Sequence, residues 1–178
     1  IPNSKIKNLE KIRLEKMKTL RLLLGDQLNS EHSWFDEVNP NVMYVMAEMR
    51  QETDYVKHHI QKVVAFFLSM RNFSNELIKQ GHQIVYYKIS DANNPQYLET
   101  LILDLVEKNN IECFEYQFPD EYRLDEQLKS LSEKLSIPTK AVDSEHFYTS
   151  RNELADFFKG KKQLLMESFY RMMRKKHA

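Results

Sequence analysis

Short apolar runs alternating with longer amphipathic stretches constrain this chain more than any other feature it has. The runs are Leu20 to Leu24, Val42 to Met46, Gln83 to Tyr87, Ile111 to Tyr116 and Thr139 to Val142. The first two are apolar at almost every position, as strands covered on both faces must be. The stretches between the runs carry a helical period. From about Asp54 to Gln80, the residues Val56, Ile60, Val63, Phe67 and Met70 recur at helical spacing and predict one long helix. Gly81 is placed to stop it. Leu98, Leu101, Ile102 and Leu105 predict a second helix over about 96 to 107, and Leu124, Leu128, Leu131 and Leu135 a third, closed by Pro138. Two short helices are expected near 151 to 158 and 164 to 176. Strand and helix in this alternation build a parallel α/β sheet.

Composition narrows the function classes. The chain has 26 basic and 26 acidic residues, so overall charge lends no support to nucleic-acid or membrane binding. Its single cysteine, Cys113, excludes a disulfide framework and a cysteine-ligated iron-sulfur cluster within these residues. That usage suits the reducing cytoplasm. No apolar run is long enough to span a membrane, and residues 1 to 18 lack the continuous apolar core of a signal peptide. Residues 1 to 19 read as a basic extension, a peripheral arm ahead of the domain at 20 to 178.

In an open α/β sheet, ligands sit outside the carboxyl ends of the strands. Gly25-Asp26-Gln27-Leu28 follows the first run, Ala47-Glu48-Met49-Arg50-Gln51-Glu52 the second and Phe118-Pro119-Asp120-Glu121-Tyr122-Arg123 the fourth. Neither G-x-G-x-x-G nor G-x-x-x-x-G-K-[ST] is present, so no glycine-rich loop cradles a pyrophosphate. The first two strands end in carboxylates instead. Carboxylates repel phosphate and accept hydrogen bonds from hydroxyl and ring N–H groups. An uncharged, hydroxyl-rich heterocycle suits such an edge. On the residues alone a structural alternative has the stronger claim: Asp26 caps a turn, and Glu48 pairs with Arg50 or Lys62. His58 and His59 are adjacent on a helical pattern, point about 100° apart and do not share a metal ion. They are expected as surface or hydrogen-bonding histidines. The basic run Arg171 to His177 reads as a solvated helix end.

Several segments in order resemble the photolyase-related family of iron-sulfur bacterial cryptochromes and photolyases. They are Leu22-Leu23-Leu24-Gly25-Asp26-Gln27-Leu28, Val45-Met46-Ala47-Glu48, and Tyr55-Val56-Lys57-His58-His59 with Lys62, Phe66, Phe67, Met70 and Arg71. Met166-Glu167-Ser168-Phe169-Tyr170-Arg171 with Met173-Arg174-Lys175-Lys176 completes the set. The resemblance implies a Rossmann-like three-layer α/β antenna domain with a five-stranded parallel sheet. It implies 6,7-dimethyl-8-ribityllumazine as the bound chromophore, with Gly25, Asp26, Gln27 and Glu48 at its site and Tyr55 and His59 flanking it. It also implies a C-terminal helical domain outside this chain that binds FAD, carries a [4Fe–4S] cluster and docks damaged DNA, for (6-4) photoproduct repair or light sensing. The chain alone is then not catalytic. Two rival readings stay open: a non-catalytic interaction or scaffold domain with a vestigial pocket, and a stand-alone nucleotide-binding enzyme.

Overall fold

The structure, a computed structural model, describes residues 17 to 54 and 56 to 177. The expected basic extension lies outside these residues except for its last three, and the last of those, Thr19, already opens the first strand. The chain divides into two compact units, one ending at Val142 and the other beginning at Asp143.

The first unit contains a five-stranded, all-parallel sheet. Its strands are β1 (Thr19–Leu22), β2 (Val42–Ala47), β3 (Gln83–Tyr87), β4 (Cys113–Gln117) and β5 (Thr139–Val142), in the order β3-β2-β1-β4-β5. Its helices are α1 (Arg50–Asp54), α2 (Ile60–Lys79), α3 (Leu98–Lys108) and α4 (Tyr122–Lys134). A 3-10 turn at Ser33–Phe35 lies between β1 and β2.

The period-two alternation of strand side chains sends residues to opposite faces, and each face has its own core. Leu20, Leu22, Val45, Phe114 and Tyr116 pack with Leu101, Ile102 and Leu105 of α3 and with Leu128 and Leu131 of α4. Val42, Tyr44 and Met46 pack with Phe67, Met70 and Leu77 of α2 and with Trp34 and Phe35 of the 3-10 turn. The result is the three-layer Rossmann-like arrangement that the sequence pattern predicts. Arg21 interrupts the apolar run of β1 at small cost because three groups receive its guanidinium. It pairs with Glu115 on β4 at 2.8 Å, bonds the Tyr44 hydroxyl at 3.1 Å and lies 4.7 Å from the centre of the Trp34 ring.

Two helix ends show why the elements stop where they do. Gly81 follows α2 at φ +98°, and His82 N–H reaches back to the Leu77 carbonyl at 3.0 Å. Asn110 follows α3 at φ +51°, and Ile111 N–H bonds the Val106 carbonyl at 3.0 Å. The single long helix expected from Asp54 to Gln80 is not one helix. α1 ends at Asp54, and α2 begins only at Ile60, behind His59 in an extended conformation. The first strand also ends earlier than its apolar run, at Leu22, so Leu23 and Leu24 already belong to the loop.

The second unit holds α5 (Glu153–Phe158) and α6 (Met166–His177). Phe157 and Phe169 meet with ring centres 5.2 Å apart, and a Lys176–Glu153 ion pair of 2.6 Å joins the two helices. Among the described residues no helix is long and apolar enough to cross a membrane.

Leu128 is fully buried where α4 meets the sheet. Leu128→Ala should lower the unfolding free energy by about 3 kcal/mol, read as a shift in the urea midpoint. A loss under about 1 kcal/mol would mean that this layer is not close-packed.

Candidate functional site

The strand order reverses between β1 and β4, and in open α/β sheets a crevice forms at such a reversal. Gln27 spans it. The side-chain oxygen of Gln27 accepts from Leu24 N–H at 3.1 Å, and its amide nitrogen donates to the carbonyls of Gln117 at 3.2 Å and Phe118 at 3.4 Å. With 3% exposure it is a staple between strand ends and is not presented to a ligand.

At the same strand ends lies a pocket of about 350 Å³, within the range of small-molecule sites. Leu24, Met49, Phe66 and Leu98 give it apolar walls, and Asp26, Glu52, Lys62, Glu121 and Arg123 give it polar ones. Gly25 sets its shape. A Cβ at that position would lie 2.6 Å from Cε1 of Phe66 and 2.9 Å from the sulfur of Met70. The missing side chain therefore lets the Phe66 ring lie against the β1 loop.

Glu48 has a different task. It is 0% exposed, and both carboxylate oxygens are occupied. Arg71 of α2 donates from Nε at 2.5 Å and from the terminal nitrogen at 2.8 Å, Tyr86 from its hydroxyl at 2.9 Å, and Ile89 from its backbone N–H at 3.0 Å. The Glu48 carbonyl accepts from the Asn94 amide at 2.7 Å. The partner expected from sequence was Arg50 or Lys62; the actual one is Arg71, most of the way along the facing helix. Burial alone would raise the Glu48 pKa, but the bonds from Arg71, Ile89 and Tyr86 outweigh it and hold the carboxyl below its ordinary range. Burial and then the bond to Glu48 raise the Tyr86 pKa, and the bond to Glu48 raises that of Arg71.

Of the six residues named from sequence, the structure brings Gly25 and Asp26 to the pocket wall. Gln27 and Glu48 brace the strand ends beside it. His59 is the cap of α2, its ring Nδ1 accepting from Gln61 N–H at 3.2 Å. Tyr55 lies outside the described residues. Glu52, Glu121 and Arg123 fall in the strand-end segments marked from sequence but were not singled out as binding residues, and Lys62 was missed as a lining residue. Glu52 and Arg123 stand just beyond the ends of β2 and β4, so the strand-end rule already pointed to them. Lys62 requires knowledge of where α2 begins. His58, expected on the helix surface, lines the pocket with its Nδ1 3.4 Å from Lys62 Nζ. Burial raises the Glu52 pKa, the charges of Glu121 and Asp26 add to this, and Arg123 opposes it.

Comparison with known proteins follows the same line. The family model described as deoxyribodipyrimidine photo-lyase-related protein matches residues 21–178. A (6-4) photolyase of Agrobacterium fabrum is 30% identical over 161 residues, which cover 90% of this chain and 32% of that protein. The chain thus spans about a third of that relative's length.

The folded Glu48 carboxyl is more acidic than in the unfolded chain, so its stabilisation is complete above the ordinary carboxylate range and is lost as pH falls through the folded value. Arg71→Ala leaves that carboxylate buried without its cation and should cost about 3 kcal/mol near pH 7. The gap between parent and variant should narrow as pH falls below about 5, because the variant's Glu48 then takes up a proton. Urea titrations at several pH values would show this; a gap independent of pH would contradict the pairing.

Proposed function

The chain belongs to the deoxyribodipyrimidine photo-lyase-related family, and from that membership we propose that it is the antenna half of a photolyase- or cryptochrome-like flavoprotein. The pocket at the β1 and β2 ends holds a planar, polyhydroxylated chromophore, 6,7-dimethyl-8-ribityllumazine being the leading candidate. The observation that carries this reading is the pocket itself. It lies at the strand ends and is lined by aromatic and aliphatic side chains together with hydrogen-bonding ones.

The residues present suit such a ligand. Phe66, Met49 and Leu98 offer surface for a heteroaromatic ring. Asp26 accepts from hydroxyl or ring N–H groups, and Lys62 donates to a ring carbonyl. The chromophore supplies absorption in the near ultraviolet and violet. Excitation transfer depends on a fixed distance and orientation, and a site braced by Gln27 and by the Glu48–Arg71 pair holds its walls rigidly. In this proposal FAD and the [4Fe–4S] cluster belong to the part of the protein beyond this chain. Cys113, the one thiol here, is buried, and among the described residues no three metal-ligating side chains form a cluster. Recognition of damaged DNA, whether for repair or for light sensing, is likewise assigned to the whole protein. An open pocket, not one plugged by large side chains, supports this reading over a scaffold domain with a vestigial site.

Fluorescence titration of the 178-residue chain with the lumazine tests the proposal. Saturable binding is expected, weakened about tenfold or more in Asp26→Ala, the cost of a lost hydrogen bond to a charged group. The absence of saturable binding by the parent would overturn the reading.

Gly25→Ala gives an independent check on the wall. The new methyl group displaces the Phe66 ring, so lumazine affinity should fall by about tenfold while the urea midpoint moves little. Unchanged affinity would remove Phe66 from the site.

A further inference from the structure

In sheets of this class a phosphate is held by the free N–H groups at a helix N-terminus. At two of the helices around this pocket, α2 and α4, first-turn N–H groups are already engaged. At α2, the His59 ring accepts from Gln61 N–H at 3.2 Å, and the His59 carbonyl accepts from Lys62 and Val63 N–H at 3.0 and 3.3 Å. At α4, the cap is Glu121, whose carboxylate accepts from the N–H of Arg123 at 3.4 Å and also bonds that of Leu124. A protein carboxylate thus occupies the place where a ligand's phosphate would bind. α3 touches the pocket through the apolar side chain of Leu98 and carries Glu99 in its first turn, and α1 touches it through Glu52 and Thr53, its Arg50 N–H bonded to the Gln96 side-chain oxygen at 3.0 Å.

The charged side chains point the same way. Arg123 is held by Glu121 at 2.5 Å, and Lys62 Nζ lies 3.4 Å from the His58 ring. Against these two cations the lining sets three carboxylates, Asp26, Glu52 and Glu121. Burial first, and then the neighbouring charges of Glu121 and Asp26, raise the Glu52 carboxyl, with Arg123 opposing them.

We propose that the pocket discriminates by charge, with Glu121 and Glu52 as specificity-determining residues that admit the uncharged ribityl heterocycle and reject its phosphate ester. The proposal rests on the chromophore reading above and adds a selection rule to it. A phosphate monoester brings between about one and two negative charges at neutral pH into a partly desolvated site that already carries carboxylates, where like charges repel strongly. The same logic turns away flavin mononucleotide and dinucleotides, and it favours a chromophore taken up before any phosphorylation of its side chain.

The test compares two ligands that differ only in the phosphate: 6,7-dimethyl-8-ribityllumazine and its 5′-phosphate, titrated by fluorescence near pH 7.5 at low salt. The ester should bind at least about tenfold more weakly. Glu121→Gln and Glu52→Gln should each shrink that ratio by about threefold or more, and added salt should shrink it in the parent. Because the ratio is taken within each variant, a loss of folding that weakens both ligands alike cancels out. Equal binding of the two ligands by the parent, or a ratio unchanged in both variants, overturns the selection rule and leaves the pocket reading standing. If the parent binds neither ligand, the pocket reading falls and the rule falls with it.

Discussion

A carboxylate with no exposed surface must have every lone pair answered from within the protein, and in this fold that demand falls on Glu48. Its partners come from three places, α2 through Arg71, β3 through Tyr86 and the following loop through the Ile89 amide, while Asn94 from the loop ahead of α3 answers the Glu48 backbone carbonyl. One side chain therefore fixes where α2 lies against the sheet and where the chain goes after β3. An apolar residue at this position would pack the strand equally well and orient nothing. The price of burying the charge is accepted at the spot where orientation matters most, beside the pocket.

The pocket inherits its order from this arrangement. With α2 held by Arg71, Phe66 and Met70 lie against Gly25, the first turn of α2 brings Lys62 to the pocket wall, and the loop just ahead of its cap brings His58. On the far side Gln51 of α1 bonds Gln127 of α4 at 2.5 Å, so the short helix after β2 connects to the opposite layer. Walls contributed by both layers, with a floor stapled by Gln27, leave a ligand little freedom of orientation.

Most of the fold was legible in the sequence because its signals are local. Apolar runs marked all five strands, and Gly81 marked the end of α2. The break between α1 and α2 was not legible. The apolar period runs on through Val56 and Ile60, and the cap of α2 is a histidine, which is not among the usual capping residues. Glu48 shows the other limit. Its position at a strand end flagged it as important, but Arg71 lies 23 residues away, and only the packing of α2 on the sheet brings the two together. The place of Gly25 and Asp26 beside the pocket was legible because a strand end is a local feature. Glu121 fell within a marked strand-end segment, but its role as a cap was not legible, because that depends on the conformation of the loop ahead of α4.

The pairing of β1 with β4 has a kinetic corollary. Thr19 stands beside Cys113, and Arg21 beside Glu115, 94 residues apart along the chain. Contacts of such separation close late, after the loop entropy between them has been lost. β1, β2 and β3 can assemble with α2 while the crevice edge is still missing, and only the arrival of β4 lets Gln27 find the Gln117 carbonyl. The crevice edge and the β1–β4 pairing then form in one step, ahead of β5 at the sheet's edge. A ligand in the pocket stabilises the finished topology, and a nascent chain emerging from the ribosome has no site to fill until the fourth strand is in place.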